Sequence, residues 1–283
     1  MLSRRAVLSW AGCSLVLGQN PTRSQFADAR AYDRFMGRWS RRLAPLFLDF
    51  VEVANNARVL DVGCGTGAFA MAVANRKTES RVVGVDLSRE YIEYCRTQNP
   101  LNRVRFEVGD AQNLGFPDGA FDAAASMLAL NFVPNPNRAV AEMKRVTAPG
   151  GRIAAAVWDY GEGMQMLRAF WGAAVALDPA AEAKDEKHMP LCRRGELQQL
   201  WTDMGLARIE ERPLEMRMDF PSFNDYWEPF TLGEGPAGAY VAQLNAAQRD
   251  ALRAELKQRL NAPRDADPVS LLARAWAVRG DVI

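Results

Sequence analysis

Val59-Leu60-Asp61-Val62-Gly63-Cys64-Gly65-Thr66-Gly67-Ala68-Phe69 is the stretch that decides the fold of this chain. Val59 to Val62 are apolar except for Asp61, and read as a buried strand. Three glycines follow at alternate positions, and the small and apolar run from Ala68 to Ala74 then favours a helix. Glycine turns sharply, tolerates positive φ and lets a ligand approach the backbone. A parallel strand, a glycine turn and a helix N-terminus together form the nucleotide crevice of an open α/β sheet. The glycines alone do not choose the nucleotide, because Gly63, Gly65 and Ala68 also satisfy the dinucleotide pattern G-x-G-x-x-G/A.

Two acidic positions downstream narrow the choice. Arg81 to Leu87 reads as a second buried strand ending in Asp86, which lies 23 residues after Gly63. Val104 to Val108 reads as a third, ending in Gly109-Asp110-Ala111. Parallel strands leave their carboxyl ends on one rim, so Asp61, Asp86 and Asp110 are expected to gather beside the glycine turn. Phe121 to Met127 reads as a fourth strand ending at Ser126 and Met127 on the same rim, although its alanines are poor β material. Pro149-Gly150-Gly151 turns into a fifth, Arg152 to Trp158.

With VLDVGCGTG at 59–67, GVDLS at 84–88, GDAQNLGFPDGAFD at 109–122 and EMKRVTAPGGRI at 142–153, the chain resembles the class I S-adenosylmethionine-dependent methyltransferases, in particular the small-molecule group called type 11. The resemblance implies a Rossmann-like α/β fold: a seven-stranded, mostly parallel sheet with helices on both faces, an antiparallel last strand, and helical N-terminal and C-terminal lid segments. It implies S-adenosyl-L-methionine as cofactor. The cofactor-binding residues it implies are Asp61, Gly63, Cys64, Gly65, Thr66, Gly67, Asp86, Leu87, Asp110, Ala111, Ser126 and Met127. Among these, Asp61 suits the sulfonium and amino group, Asp86 the ribose hydroxyls, and Asp110 the adenine amino group with the Ala111 amide nearby. Arg38 and Trp39 join them from the segment Tyr32-Asp33-Arg34-Phe35-Met36-Gly37-Arg38-Trp39, which the resemblance lays over the cofactor as a lid, with Arg38 on the donor's carboxylate. As spacing alone, Tyr32, Phe35, Met36 and Trp39 form a helical stripe equally suited to packing.

The expected organisation is a signal-like or disordered segment at 1–24, a helical cap at 25–55 with a separate second helix over Leu43 to Val53, a core at 56–219, a helical lid insertion at 220–262 and a last strand at 263–283. Asp178 to Pro190 reads as a polar loop and Gly233 to Gly238 as a bend.

The acceptor side is less legible. Asp159, Tyr160, His188 and Glu228 are candidate bases, each with a plainer reading as a cap or a solvated residue. Trp158, Phe132, Trp227 and Phe230 suit either an apolar acceptor pocket or the core. Asn131-Phe132 stands where related enzymes often carry a histidine pair. Four scattered cysteines and a single histidine give no metal-binding pattern, and a net charge of +1 gives no sign of a nucleic-acid partner.

Ser3-Arg4-Arg5 before an apolar stretch to Gly18 looks like a twin-arginine export signal. The alternatives are a weak membrane-surface anchor and an extension of no consequence; a donor that is a cytoplasmic metabolite favours the cytoplasm. The function expected is methyl transfer to a small-molecule acceptor by direct in-line displacement. The competing readings are an NAD(P)-dependent oxidoreductase, for which no Tyr-x-x-x-Lys is found, and a non-catalytic S-adenosylmethionine-binding protein. The oligomeric state is not legible.

Overall fold

A computed structural model describes residues 28–283. The segment with the twin-arginine-like sequence, and with it the readings of export and membrane association, lies outside the described residues. Among the described residues no helix is long and apolar enough to cross a membrane.

The chain begins with α1 (Ala29–Tyr32), capped by the Asp28 carboxylate, passes through a π-helical turn (Asp33–Gly37) and continues as α2 (Arg38–Val51). The helix expected over Leu43 to Val53 is therefore not separate: α2 runs continuously from Arg38 to Val51, although Pro45 inside it removes one backbone donor. The core then alternates: β1 (Arg58–Val62), α3 (Ala68–Arg76), β2 (Arg81–Asp86), α4 (Arg89–Gln98), β3 (Val104–Val108), β4 (Phe121–Met127), α5 (Pro136–Val146) and β5 (Thr147–Trp158). The helix starts carry their sequence signals. The Ser88 hydroxyl accepts from the Tyr91 amide ahead of α4, and Asn135 caps α5 just before Pro136, whose fixed φ suits a first helical position. β5 begins five residues earlier than expected. Thr147 pairs with Phe121, the register slips, and Gly150 takes positive φ before pairing resumes at Arg152.

The remainder comprises α6 (Gln165–Leu177), two 3-10 turns (Pro179–Lys184 and Glu186–His188), α7 (Glu196–Asp203), β6 (Ala207–Phe220), α8 (Phe223–Trp227), a further 3-10 turn (Glu228–Leu232), α9 (Gly235–Gln243), α10 (Ala246–Arg259) and β7 (Val269–Asp281). The bend expected at Gly233–Gly238 holds only at Gly233. Pro236, tolerated in a first turn, lets α9 start at once.

The sheet order is β3-β2-β1-β4-β5-β7-β6. The first five strands run parallel, and β7 inserts antiparallel between β5 and β6. The registers Asp61↔Gly84, Asp86↔Val108, Asp61↔Ala125 and Met127↔Ala156 bring the carboxyl ends of the first five strands to one level. Ala123 to Ala125 of β4 and Ala154 to Ala156 of β5 are buried, and their small side chains let α2 and α5 lie close against the middle of the sheet. Packing thus overrides their low strand propensity.

Candidate active site

The glycine turn is held by its own amides. Gly63 and Cys64 both donate to the Val85 carbonyl, at 2.8 and 2.9 Å, and Gly67 donates to the Cys64 carbonyl at 2.8 Å. Gly65 donates to Asp86 Oδ2 at 2.9 Å, while Asp86 Oδ1 accepts from the Ser88 amide at the same distance. Gly63 sits at φ +70°, and a Cβ there would lie 2.4 Å from that of Ala129, so only glycine fits. Burial raises the Asp86 carboxyl above its ordinary value, opposed by the amides of Ser88, Gly65 and Leu87.

Above the turn, along the carboxyl edge of the sheet, lies a cavity of about 620 Å³, within the ~300–1,000 Å³ usual for small-molecule sites. Its wall follows the strand order. Toward β2 and β3 it is formed by Gly63 to Thr66, Asp86, Leu87, Asp110 and Ala111. Toward β4 and β5 it passes Met127, Leu128 and Phe132 to Trp158, Tyr160 and Leu167. Asp110 is braced by Gln112, whose amide donates to its Oδ1 at 2.8 Å. Leu87 is 74% exposed, an apolar side chain left open at the cavity's edge.

Five expected cofactor residues lie off this wall: Asp61, Gly67, Ser126, Arg38 and Trp39. Asp61 is 1% exposed, and its Oδ2 accepts from the Ala70 amide at 2.9 Å, fastening the first turn of α3 to β1. Burial pushes its carboxyl up to about 7, against the Ala70 bond and with help from Asp86. Gly67 serves instead as the N-cap of α3 at φ +83°, and Ser126 is buried within β4.

Arg38 and Trp39 are corrections. Both terminal nitrogens of the Arg38 guanidinium are engaged by Asp225: Nη1 donates to the two carboxylate oxygens at 2.9 and 2.8 Å, and Nη2 to the backbone carbonyl at 3.0 Å. Trp39, 1% exposed, packs edge-on against Phe220 at 4.9 Å between ring centroids. The cause is the π turn. Tyr32, Phe35 and Met36 do line the cavity, but one extra residue in the turn rotates the helix by about 100°, so the stripe continues at Ser40 rather than at Trp39. Tyr32 meets Tyr91 at 5.4 Å, and burial pushes its hydroxyl up to about 12.

Of the four candidate bases, only Tyr160 reaches the cavity. Asp159 is bound by Arg274 through Nε at 2.8 Å and Nη2 at 2.6 Å. His188 and Glu228 are exposed beside Glu182 and Arg34. Trp158 and Phe132 line the cavity, whereas Trp227 and Phe230 are core; Phe230 stacks on Phe170 at 4.5 Å.

Glu186 was not anticipated. It sits in the stretch read as a polar loop, yet it is 4% exposed, lines the cavity and accepts a hydrogen bond from Trp171 Nε1. Its neighbour Asp185 is buried against Arg168. The available signal was the spacing of Arg168 and Trp171, one turn apart on α6, which supplies two donors to a passing acidic pair.

Residues 60–155 match the family described as methyltransferase domain. A curated relative, the malonyl-[acyl-carrier protein] O-methyltransferase of Geobacter sulfurreducens, is 32% identical over 70% of this chain and 73% of its own. A demethylmenaquinone methyltransferase of Thermus thermophilus is 36% identical over 41% of this chain and 52% of its own. The chain thus spans about half the length of that relative, and 34% of that of an uncharacterised transposon protein of Streptomyces fradiae. Among solved structures, YcgJ of Bacillus subtilis superimposes with a TM-score of 0.55 at 21% identity, covering 86% of this chain and 98% of its own. Phosphoethanolamine N-methyltransferase 2 of Haemonchus contortus, in complex with S-adenosyl-L-methionine, gives 0.56 at 20% identity over 90% of this chain and 56% of its own. These two likenesses are of fold. Together with the match over the glycine turn and the strand-end acids, they define a Rossmann-like methyltransferase domain. The chain belongs to the class I S-adenosylmethionine-dependent methyltransferases.

Proposed function

We propose that this protein binds S-adenosyl-L-methionine along the β1–β3 end of the cavity and transfers its methyl group to a small-molecule acceptor held at the β4–β5 end. The observation that carries this reading is the inward use of the loop amides. With Gly63, Cys64, Gly65 and Gly67 already donating within the protein, the turn has little left for a pyrophosphate, and Asp86 and Asp110 on the same wall would repel one. A nucleoside without phosphates suits both facts. Asp86 keeps acceptor capacity for the two ribose hydroxyls, Asp110 and the Ala111 amide meet the adenine edge, and Leu87 covers its face. Asp61 acts behind the wall, by fixing the helix that follows the turn. The acidic wall as a whole favours a cationic sulfonium.

When bound, S-adenosyl-L-methionine supplies a methyl group already activated by the positive sulfur. What remains for the protein is alignment and exclusion of water, effects worth roughly 7–11 kcal/mol in well-oriented systems. Tyr32, Phe35 and Met36 from the N-terminal helix and Pro236 from α9 provide that cover. Calorimetric titration of the full chain with S-adenosylhomocysteine and, separately, NADH tests the reading. S-adenosylhomocysteine should bind at one site and NADH should not; NADH binding without S-adenosylhomocysteine binding would replace the methyltransferase with an oxidoreductase.

A further inference from the structure

The acceptor end of the cavity carries an unusual combination of groups. Among the described residues no lysine, arginine or histidine lines any part of the cavity, whereas Asp86, Glu90, Asp110 and Glu186 do. The first three belong to the end assigned to the nucleoside. Glu186 stands apart, at the β5 end with Trp158, Tyr160, Leu167 and Phe132. Its company is apolar and aromatic, and no cation is offered to it from the wall. Arg168, the nearest guanidinium, is held by Asp185, and Lys187 by Glu182.

A buried carboxylate in apolar surroundings is costly unless it is paired or used. Here one oxygen accepts from Trp171 Nε1, which fixes the rotamer. Burial, only partly offset by that bond, pushes the carboxyl up to about 7, with Asp185 raising it and Arg168 lowering it. A base with that affinity for protons is well matched to taking one at neutral pH. Tyr160, which like Cys192 and Asp185 is a titratable neighbour of Glu186, is pushed well above its ordinary value, first by burial and then by Glu186 itself. It therefore stays neutral, its hydroxyl beside the Asn131 side chain. Trp158 lines the cavity with its ring, while its Nε1 is buried without a hydrogen-bond partner.

Resting on the function proposed above, we infer that Glu186 receives the proton of the acceptor, and that the acceptor is an uncharged aromatic molecule presenting a phenolic hydroxyl. An anionic acceptor, such as a free carboxylate or a phosphate ester, meets the Glu186 carboxylate and no cation here. A phenol lays its ring among Trp158, Phe132 and Leu167 and its O–H on Glu186. In the reaction the O–H bond breaks and its proton passes to the Glu186 carboxylate. The oxygen's electron pair forms the bond to the methyl carbon, and the carbon–sulfur bond breaks with its pair remaining on sulfur, giving a neutral thioether. Glu186 then returns its proton to solvent.

Three matched probes test this without knowledge of the natural acceptor: 4-phenylphenol, biphenyl-4-carboxylate and 4-phenylbenzylamine. Each is titrated into the full chain saturated with S-adenosylhomocysteine, for the wild type and Glu186→Gln. In the wild type the phenol should bind at least tenfold tighter than the carboxylate and tighter than the amine. Glu186→Gln should shrink the phenol's advantage over the carboxylate at least fivefold while leaving S-adenosylhomocysteine affinity within twofold. A carboxylate bound as tightly as the phenol, an amine preferred over it, no binding of any probe, or a preference unchanged in the variant would each overturn the inference. The wild-type ranking alone is decisive if the variant does not fold. Failure of S-adenosylhomocysteine itself to bind would overturn the proposed function instead.

Discussion

Replacing Asp61 by asparagine separates its two readings. On the wall, Asp61 would touch the cofactor, and the substitution would be felt in binding. In the structure it is 1% exposed and holds the Ala70 amide, so the substitution should be felt in stability and in its dependence on pH. Asparagine keeps the shape and a carbonyl oxygen for Ala70 but cannot ionise. Burial raises the aspartate from its ordinary 3.8 to about 7. The native state therefore binds this proton more tightly than the unfolded chain does, and the wild type loses stability as pH rises through that window. At about 1.36 kcal/mol per pKa unit the whole loss is ~4 kcal/mol. Urea unfolding of the unliganded protein at closely spaced pH values from 4 to 8 measures it. The stability of Asp61→Asn minus that of the wild type should climb by about 4 kcal/mol across that range. Taking the difference removes the paired carboxylates, such as Asp122 and Asp281, whose lowered values act in the opposite direction in both proteins. Affinity for S-adenosylhomocysteine should stay within about threefold. A difference that is flat with pH, or a large loss of affinity with unchanged stability, would refute the placement of Asp61 as a buried fastening.

Asp86→Asn presents the opposite case. One amide oxygen cannot replace two carboxylate oxygens that accept from Gly65 and Ser88, and the added NH₂ confronts a donor. Calorimetry should show S-adenosylhomocysteine affinity reduced by about a hundredfold, or ~3 kcal/mol. Arg274→Met should cost about 3 kcal/mol in urea unfolding at pH 7, because it leaves Asp159 buried and unpaired, and adding Asp159→Asn should restore most of the loss. Asp225→Ala removes the carboxylate that receives Arg38; both partners are partly exposed, so the cost should be about 1 kcal/mol, but stopped-flow release of S-adenosylhomocysteine should become several-fold faster.

The strand-end acids were legible because position follows from topology. Once a strand is parallel and its end is marked, the side chains at and just after that end are on the carboxyl rim, where Asp86 and Asp110 line the cavity. Orientation at that rim was not legible. Asp61 lies one residue before the end of β1, yet it points into the start of α3, because the helix after the turn presents an unfilled Ala70 amide and a buried carboxylate accepts it. The N-terminal stripe failed for a different reason. A period of 3.6 puts Tyr32, Phe35 and Met36 on one face, which lines the cavity, and a single-residue π insertion then brings Ser40 rather than Trp39 to that face. Nothing in the residues Asp33–Gly37 announces that insertion. Glu186 was hidden because an acid in a polar stretch is ordinarily solvated, and only a long-range donor, Trp171, makes it otherwise.

The two covers of the cavity are distant in sequence but tied to each other. The Asp28 amide donates to Glu234 at 3.0 Å, Arg34 meets Glu228 at 3.3 Å, and Arg38 grips Asp225. The segment from Asp28 to Arg38 is therefore fastened to the segment from Asp225 to Glu234 at three levels, and Phe35 lies against Phe230 between them, at 5.3 Å. Tyr32, Phe35 and Met36 stand on the first segment, and Gly235 and Pro236 follow the second. In the proposed function a nucleoside held along the β1–β3 edge lies beneath these side chains. With the ties in place, the lower-cost motion lifts both covers together rather than either alone. Cutting the Arg38–Asp225 tie should then act on the rate of release far more than on stability, which is why that variant is read by stopped flow.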